Sequence, residues 1–420
     1  MNTSMETNVC SEFGEIEGVI LHTPGSEVEN MTPGNAERAL YSDILNLSVA
    51  EEEYRQLSEV LSKITQTFQV KDLLTEILNI PEVKENLVSK ICKAENIKPL
   101  KNALLELNSK DLANQLIEGV PLNKNTLTGF LSDERNALPP LHNFFFTRDA
   151  SITMYNNVLI GKMANKVRER ESMVMEAIFN HSVHFNTQTI NPLKSKHHKK
   201  EISIEGGDVL IAREDILIIG TGIRTTTEGI DFIIEKIKKT KGKHNIVVQQ
   251  LPSKPESFIH LDMVFTLLDR DKCMVYAPII MQPNKYQTIL ISIEDGKVKN
   301  IEKQSNLVKC LNDLGMPLKP LYCGGRKDIW IQEREQWHSG ANFFAVGPGK
   351  AIGYARNVYT LEEMNNNGFE IIPAVDVINN TTQLTNYEKY VITISGAELA
   401  RGGGGARCMT MPVKRKAVDW

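Results

Sequence analysis

The stretch Asp208-Val209-Leu210-Ile211-Ala212-Arg213-Glu214-Asp215-Ile216-Leu217-Ile218-Ile219-Gly220 is two apolar runs either side of an acidic turn, opened by an aspartate and closed by a glycine. Branched residues flanking a short polar break read as a β-hairpin. The unit recurs. Asp149 opens a run that breaks at Asn156-Asn157 and resumes as Val158-Leu159-Ile160 before Gly161. Ala341-Asn342 leads through Phe343-Phe344-Ala345-Val346 and the turn Gly347-Pro348-Gly349 to Ala351-Ile352 and Gly353. In all three the closing glycine lies twelve positions after the first residue, and Asp262 opens a looser copy, Met263 to Leu268, a turn at Asp269 to Lys272, then Met274 to Ala277. Helical stretches lie between the hairpins; after Thr225, Ile230, Ile233, Ile234 and Ile237 share one face. This predicts a repeated β-β-α unit. With the N-terminal strand region there are five, expected to close into a ring with the first residue of each hairpin aimed at a shared centre.

Upstream, Ile16 to His22 reads as a strand stopped by Thr23-Pro24-Gly25. Ser48 with Glu51 predicts a capping box for a helix whose buried face is Tyr54, Leu57, Leu61 and Ile64. From about Asp72 to Gly119 the texture becomes helical: Leu100, Ala103, Leu104 and Leu107 keep a helical rhythm, and Leu112 and Leu116 resume it after a break at Asn108-Ser109. We therefore expect a small all-helical insertion at 73–137 within an α/β body made of 1–72 and 138–420.

A formal charge of -4 carries no basic excess for a nucleic-acid partner, and the one basic cluster, Lys194 to Lys200, reads as a solvated loop. No stretch approaches the roughly twenty apolar residues that span a bilayer, and the polar start Met1 to Val9 does not read as a signal peptide. The six cysteines show no C-x-x-C spacing, which fits a reducing cytoplasm and no zinc site. A homo-oligomer is expected.

Chemistry gathers at the hairpin entrances. Asp149 ends Asn143-Phe144-Phe145-Phe146-Thr147-Arg148-Asp149, Asp208 ends Glu205-Gly206-Gly207-Asp208, and Asp262 ends His260-Leu261-Asp262. Carboxylates facing one centre repel unless a cation lies between them. A planar guanidinium is the cation they clamp best, through paired charge-assisted hydrogen bonds. Near the C-terminus, Gly402-Gly403-Gly404-Gly405-Ala406-Arg407-Cys408 sets a cysteine beside a guanidinium after four glycines. Such a run serves backbone conformations or close approaches that a Cβ would forbid. A cationic neighbour and backbone N–H groups are expected to favour the thiolate a nucleophile needs. Each residue alone has a plainer structural use: aspartates cap turns, and Arg170 beside Glu171 reads as a surface ion pair. Cys408, His260 and a carboxylate together meet the nucleophile, acid–base and orienter requirements.

These four motifs, in this order and spacing and ending in Cys408-Met409-Thr410-Met411-Pro412, resemble arginine deiminase of the guanidine-modifying (pentein) superfamily over essentially the whole chain. The resemblance implies a five-fold pseudo-symmetric α/β propeller of ββαβ units that hydrolyses L-arginine to L-citrulline and ammonia with no metal or organic cofactor. It implies that Cys408 attacks the guanidinium carbon, that Asp149 and Asp262 hold its nitrogens, that His260 is the acid and then the base, and that Glu205 orients His260. It assigns Asn143, Arg168 and Arg224 to the substrate carboxylate, and Phe146, Leu40 and Gly402 to the pocket wall. One departure stands out: some relatives carry an arginine five residues before the nucleophile, where this chain has Gly403, with Arg401 and Arg407 nearby. A sister enzyme such as agmatine deiminase, peptidyl-arginine deiminase or an amidinotransferase would share the cysteine, histidine and carboxylates. The pair Arg168 and Arg224 argues against the first two, whose substrates lack a free carboxylate. A non-catalytic binding protein would have no reason to keep all five reactive residues.

Overall fold

The structure, a computed structural model, describes residues 4–37, 40–41, 43–194 and 202–420. Most of the basic cluster, 195–200, lies outside them, and Lys194 pairs with Glu176 at 2.8 Å.

One strand pattern recurs five times. In the stretch that opened the sequence reading, Val209–Arg213 pairs antiparallel with Ile216–Thr221, and the second strand then pairs in parallel with Lys243–Gln250 across the helix Thr227–Ile237. That helix is capped by Thr226, which accepts a hydrogen bond from the Gly229 N–H, and its expected face is buried. The other units repeat this: Ser151–Met154 and Asn157–Ile160 with Gln188–Ile190; Phe265–Asp269 and Lys272–Val275 with Lys319–Tyr322; Phe344–Gly347 and Lys350–Tyr354 with Tyr390–Ile394. The hairpin strands are buried on both faces, which explains why they read as continuous apolar runs rather than alternating ones. Each fully covered residue such as Ile218 or Val247 contributes about 1.5–3 kcal/mol relative to exposure.

The remaining unit is built from both ends of the chain. Ile16–Leu21 pairs in parallel with Gln66–Gln69 across the helix Leu47–Ile64, and its antiparallel neighbour is Met411–Arg415. Cys408 therefore precedes the first strand of its unit, as Asp149, Asp208, Asp262 and Asn342 precede theirs. An additional hairpin, Thr288–Glu294 with Lys297–Gln304, extends the Val209–Arg213 sheet.

The expected capping box does not form. Asn46 is the N-cap, its Oδ1 accepting from the Val49 N–H, while the Ser48 hydroxyl donates to that same side-chain oxygen; the helix starts at Leu47, two residues too early for Ser48 to cap it. Tyr54, Leu57 and Leu61 are buried as expected. Helices Val70–Ile77, Pro81–Ala94, Lys101–Glu106 and Ser109–Glu118 occupy the helical stretch, and their inner faces share one apolar cluster with Ile20, Val158, Met411 and Val413. In Lys101–Glu106 only Leu104 is buried; Ala103 is exposed.

Candidate active site

The hairpin entrances converge. His260 Nε2 lies 2.9 Å from Glu205 Oε2, and its Nδ1 lies 3.7 Å from Asp149 Oδ1. Cys408 Sγ lies 3.6 Å from Asp262 Oδ2, and the Arg148 N–H donates to the Cys408 carbonyl at 3.1 Å. All five reactive residues are buried. Close backbone approach makes this possible at Gly207, where a Cβ would stand 2.5 Å from the His260 ring, and at Gly405, where one would stand 2.7 Å from Asn342 Oδ1.

The carboxylates are held by the protein's own arginines. Arg168 donates from Nη1 to Asp149 Oδ2 at 2.7 Å, while its Nε and Nη2 engage Glu171. Expected on the substrate carboxylate, Arg168 instead spends its fork on these two acids, because a buried guanidinium needs carboxylates in its own shell. Arg407 donates from Nη1 to Asp262 Oδ2 at 2.9 Å and from Nε to Glu12 at 2.9 Å. Arg170 is no surface residue: it is fully buried, bonded to the Pro139 carbonyl and 3.6 Å from Glu95.

These placements set the protonation states. Burial opposes a charged His260, but the charge of Asp149 and the hydrogen bond to Glu205 raise it from 6.5 to about 9. Burial would raise Glu205, yet the Arg224 charge and the His260 hydrogen bond pull it down to about 2. Burial, then the charges of Asp262 and Asp149, push the Cys408 thiol well above its ordinary value. The expectation that Arg407 yields a resting thiolate is thus corrected: its guanidinium is turned onto Glu12 and Asp262, so the sulfur sees two acids more strongly than one cation.

A cavity of about 590 Å³ opens beside this centre, and Leu40, Arg224, Gly402 and Gly403 line it together with Met263 and Trp337. Arg224 Nη1 also donates to Glu205 at 3.1 Å. At the rim, Arg401 is paired with Asp43 and Glu398. Asn143, Phe146 and Arg168 are buried beside the cavity rather than lining it, and Phe146 packs on Phe145 at 4.1 Å between ring centroids. Asp149, Glu205 and His260 offer ligand atoms within 4.8 Å of one another, the one such trio among the described residues, although Arg168 and Arg224 already pair with its acids.

Asn342 and Glu12 also stand at this centre with no role expected from the sequence, and Asp208, expected only as one of the hairpin-entrance acids, stands there too. Asn342 was visible at the head of a hairpin, but it carries no charge to mark it. Asp208 accepts from the Leu261 N–H at 2.9 Å, and burial raises it to about 6.

Two solved structures share this fold across nearly their whole length. The N-terminal domain of ArgZ, an arginine dihydrolase from the ornithine-ammonia cycle in cyanobacteria, aligns with a TM-score of 0.53 at 14% identity, covering 96% of this chain and 98% of that one. SxtG, an amidinotransferase from Microseira wollei, aligns with a TM-score of 0.53 at 12% identity, covering 99% and 98%. The chain shares its mixed α/β fold with both. It belongs to the arginine deiminase family: the profile of that family, described as arginine deiminase, matches residues 37–415. Among named relatives, the arginine deiminase of Latilactobacillus sakei is 30% identical over 97% of this chain and 98% of its own. That of Bacillus cytotoxicus is 30% identical over 98% and 99%.

Proposed function

We propose that this protein hydrolyses L-arginine to L-citrulline and ammonia, with Cys408 as nucleophile, and that the reaction runs through a covalent amidino-cysteine. The observation that carries the assignment of roles is the meeting of Cys408, His260, Glu205, Asp149 and Asp262 in one buried centre. Resting Cys408 is a thiol because it is buried and because Asp262 and Asp149 add their negative charge. A guanidinium entering between Asp149 and Asp262 neutralises both, and the thiol proton then leaves to water. The thiolate attacks the guanidinium carbon; the C–N bond breaks as His260, protonated near neutral pH, gives its proton to the departing ammonia. His260, now neutral, takes a proton from the water that attacks the amidino carbon, and the C–S bond breaks to release citrulline. Glu205 holds the imidazole through Nε2, leaving Nδ1 for the substrate.

Arg224 meets the substrate carboxylate in the cavity, with Asn143 beside it; Arg168 would join them by exchanging Glu171 for the ligand. Leu40, Gly402 and Phe146 flank the alkyl chain. The family's loop arginine has no counterpart at Gly403, and Arg407 supplies a cation on Asp262 from the opposite side. The same reading takes the five units as a pseudo-symmetric propeller, supported by their common strand order, and 73–137 as an insertion into a body made of 1–72 and 138–420. A cytoplasmic setting is supported by six free thiols. Among the described residues no helix is long and apolar enough to cross a membrane. A homo-oligomer is supported by the exposed apolar residues Ile329, Trp330, Val358 and Tyr359.

The test is purified protein with L-arginine, agmatine and a blocked peptidyl-arginine side by side. Citrulline and ammonia are expected from arginine, and Cys408→Ser is expected to abolish them while the fold persists. Full turnover by the serine variant would refute the nucleophile assignment.

A further inference from the structure

We propose that Asn342 is a further catalytic residue: its carboxamide donates the hydrogen bond that the Cys408 thiolate keeps during attack, and ties the sulfur to the backbone of its own loop. This rests on the proposed function only in taking Cys408 as the nucleophile. Asn342 is buried at the head of its hairpin, the counterpart in its unit of Asp149, Asp208, Asp262 and Cys408 in theirs. Its Nδ2 lies 3.2 Å from Cys408 Sγ and 3.1 Å from the Asp262 carbonyl. Its Oδ1 accepts from the N–H groups of Arg407 at 3.0 Å and Cys408 at 3.3 Å.

These four contacts fix which way the amide points. Rotating it by half a turn would set an NH₂ against two N–H donors and an oxygen against a carbonyl, so the group facing the sulfur is a donor. Among the described residues it is the side-chain donor that the structure shows on Sγ, beside the backbone N–H of Gly405. The Arg407 and Cys408 N–H groups, natural partners for an anion, are occupied by Oδ1. Asp262 Oδ2, at 3.6 Å, offers the sulfur only an acceptor. Burial and neighbouring carboxylates oppose the thiolate, and a neutral donor helps it without adding a cation that would repel a guanidinium substrate. Gly405 carries the same message: a Cβ there would stand 2.7 Å from Oδ1 and 2.8 Å from the Asn342 carbonyl, so the glycine run lets the loop close onto this side chain.

Asn342→Asp separates the two duties, keeping an acceptor for the two N–H groups while replacing the donor by a third carboxylate oxygen. We expect kcat for arginine to fall by about 10²–10³, the loss seen when one preorganised donor is removed from a developing anion, with KM nearly unchanged. The alkylation of Cys408 by iodoacetamide, followed against pH, should shift toward higher pH by about one unit or more. If Asn342→Asp does not fold, Asn342→Ala reads the same alkylation profile, and the same shift is expected. A kcat within about threefold of the parent, or a lowered kcat in folded variant with an unshifted alkylation profile, would overturn the assignment, the latter by reducing Asn342 to a packing role. If the parent makes no citrulline, the proposed function fails instead, and the alkylation profiles still decide whether Asn342 supports the thiolate.

Discussion

Replacing Glu205 by glutamine should lower the pH at which this enzyme loses its acid. In the structure His260 is held protonated up to about 9, against an ordinary 6.5, even though burial pulls the other way. At ~1.4 kcal/mol per tenfold change in ionisation constant, that climb is worth about 3 kcal/mol of preference for the imidazolium. Glu205, fully buried and ionised, supplies a share through the 2.9 Å contact to Nε2; Asp149 and Asp208 supply the rest. A hydrogen bond to a charged partner is worth about 1.5–3 kcal/mol. Glu205→Gln keeps the shape and an acceptor but removes the charge, so the basic limb of kcat/KM should move from near 9 to roughly 7–8. The assay is citrulline formation at subsaturating arginine from pH 5 to 10, with Glu205→Asp as the charge-retaining control. Asp149 still faces Nδ1, so the limb should not fall below the ordinary histidine range. If folded Glu205→Gln keeps its basic limb where the parent has it, the Glu205–His260 contact does not set the proton's affinity and the reasoning is wrong.

Three further outcomes follow from the same contacts. Stability should depend on pH at both ends: His260 is raised on folding, so its contribution is complete below about 6.5 and is lost as pH rises through about 9, whereas Glu205 is depressed, so its contribution is complete above 4.5 and is lost as pH falls toward 2; urea unfolding across this range should show a plateau between the two losses. Arg407→Met leaves Glu12 and Asp262 buried without their cation and should cost about 3–5 kcal/mol in urea unfolding, where a loss under about 1 kcal/mol would show that the network does not hold the loop. Gly405→Ala forces the loop off Asn342 and should cost about 1–3 kcal/mol together with a fall in kcat, and a variant with unchanged kinetics would mean that the close approach is not needed.

The hairpins were legible because each is a short apolar run, a polar turn and a second apolar run, and burial on both faces leaves no other use for such runs. The reactive residues were legible because charged or nucleophilic groups at strand starts are conspicuous against that background. Less could be read where the answer lay in long-range pairing. That Met411–Arg415 completes the unit of Ile16–Leu21 is a contact between chain ends, and no periodic pattern announces it. The fate of each arginine was equally hidden: Arg168, Arg170 and Arg407 look alike in sequence, and only packing decides that the first clamps Asp149, the second is walled in by Pro139 and Glu95, and the third bridges Glu12 and Asp262. Asn46 rather than Ser48 caps its helix for a similarly local reason, since a two-residue difference in where the chain turns decides which side chain reaches the free N–H groups.

The distribution of satisfied and unsatisfied atoms gives the site its direction. Both acids assigned to the guanidinium have one oxygen on a protein arginine, Asp149 on Arg168 and Asp262 on Arg407, which fixes each carboxylate plane without using its other edge. On Asp149 the second oxygen accepts from the Gly207 N–H at 3.1 Å and faces His260. On Asp262 the second oxygen, Oδ1, is buried with no hydrogen-bond partner, as is Nδ1 of His260. Leaving a buried polar group unpaired costs about 1–3 kcal/mol, and more for a charged one, so folded proteins rarely tolerate it without a reason. In the proposed mechanism a guanidinium N–H laid against Asp262 would remove one such penalty, and the nitrogen leaving as ammonia would take the proton from His260 Nδ1. Two of the unmet atoms, Asp262 Oδ1 and His260 Nδ1, are thus ones the proposed substrate would meet. Asp262→Asn should therefore weaken arginine binding far more than it weakens folding, because the lost charge is one that the folded protein itself satisfies on only one side.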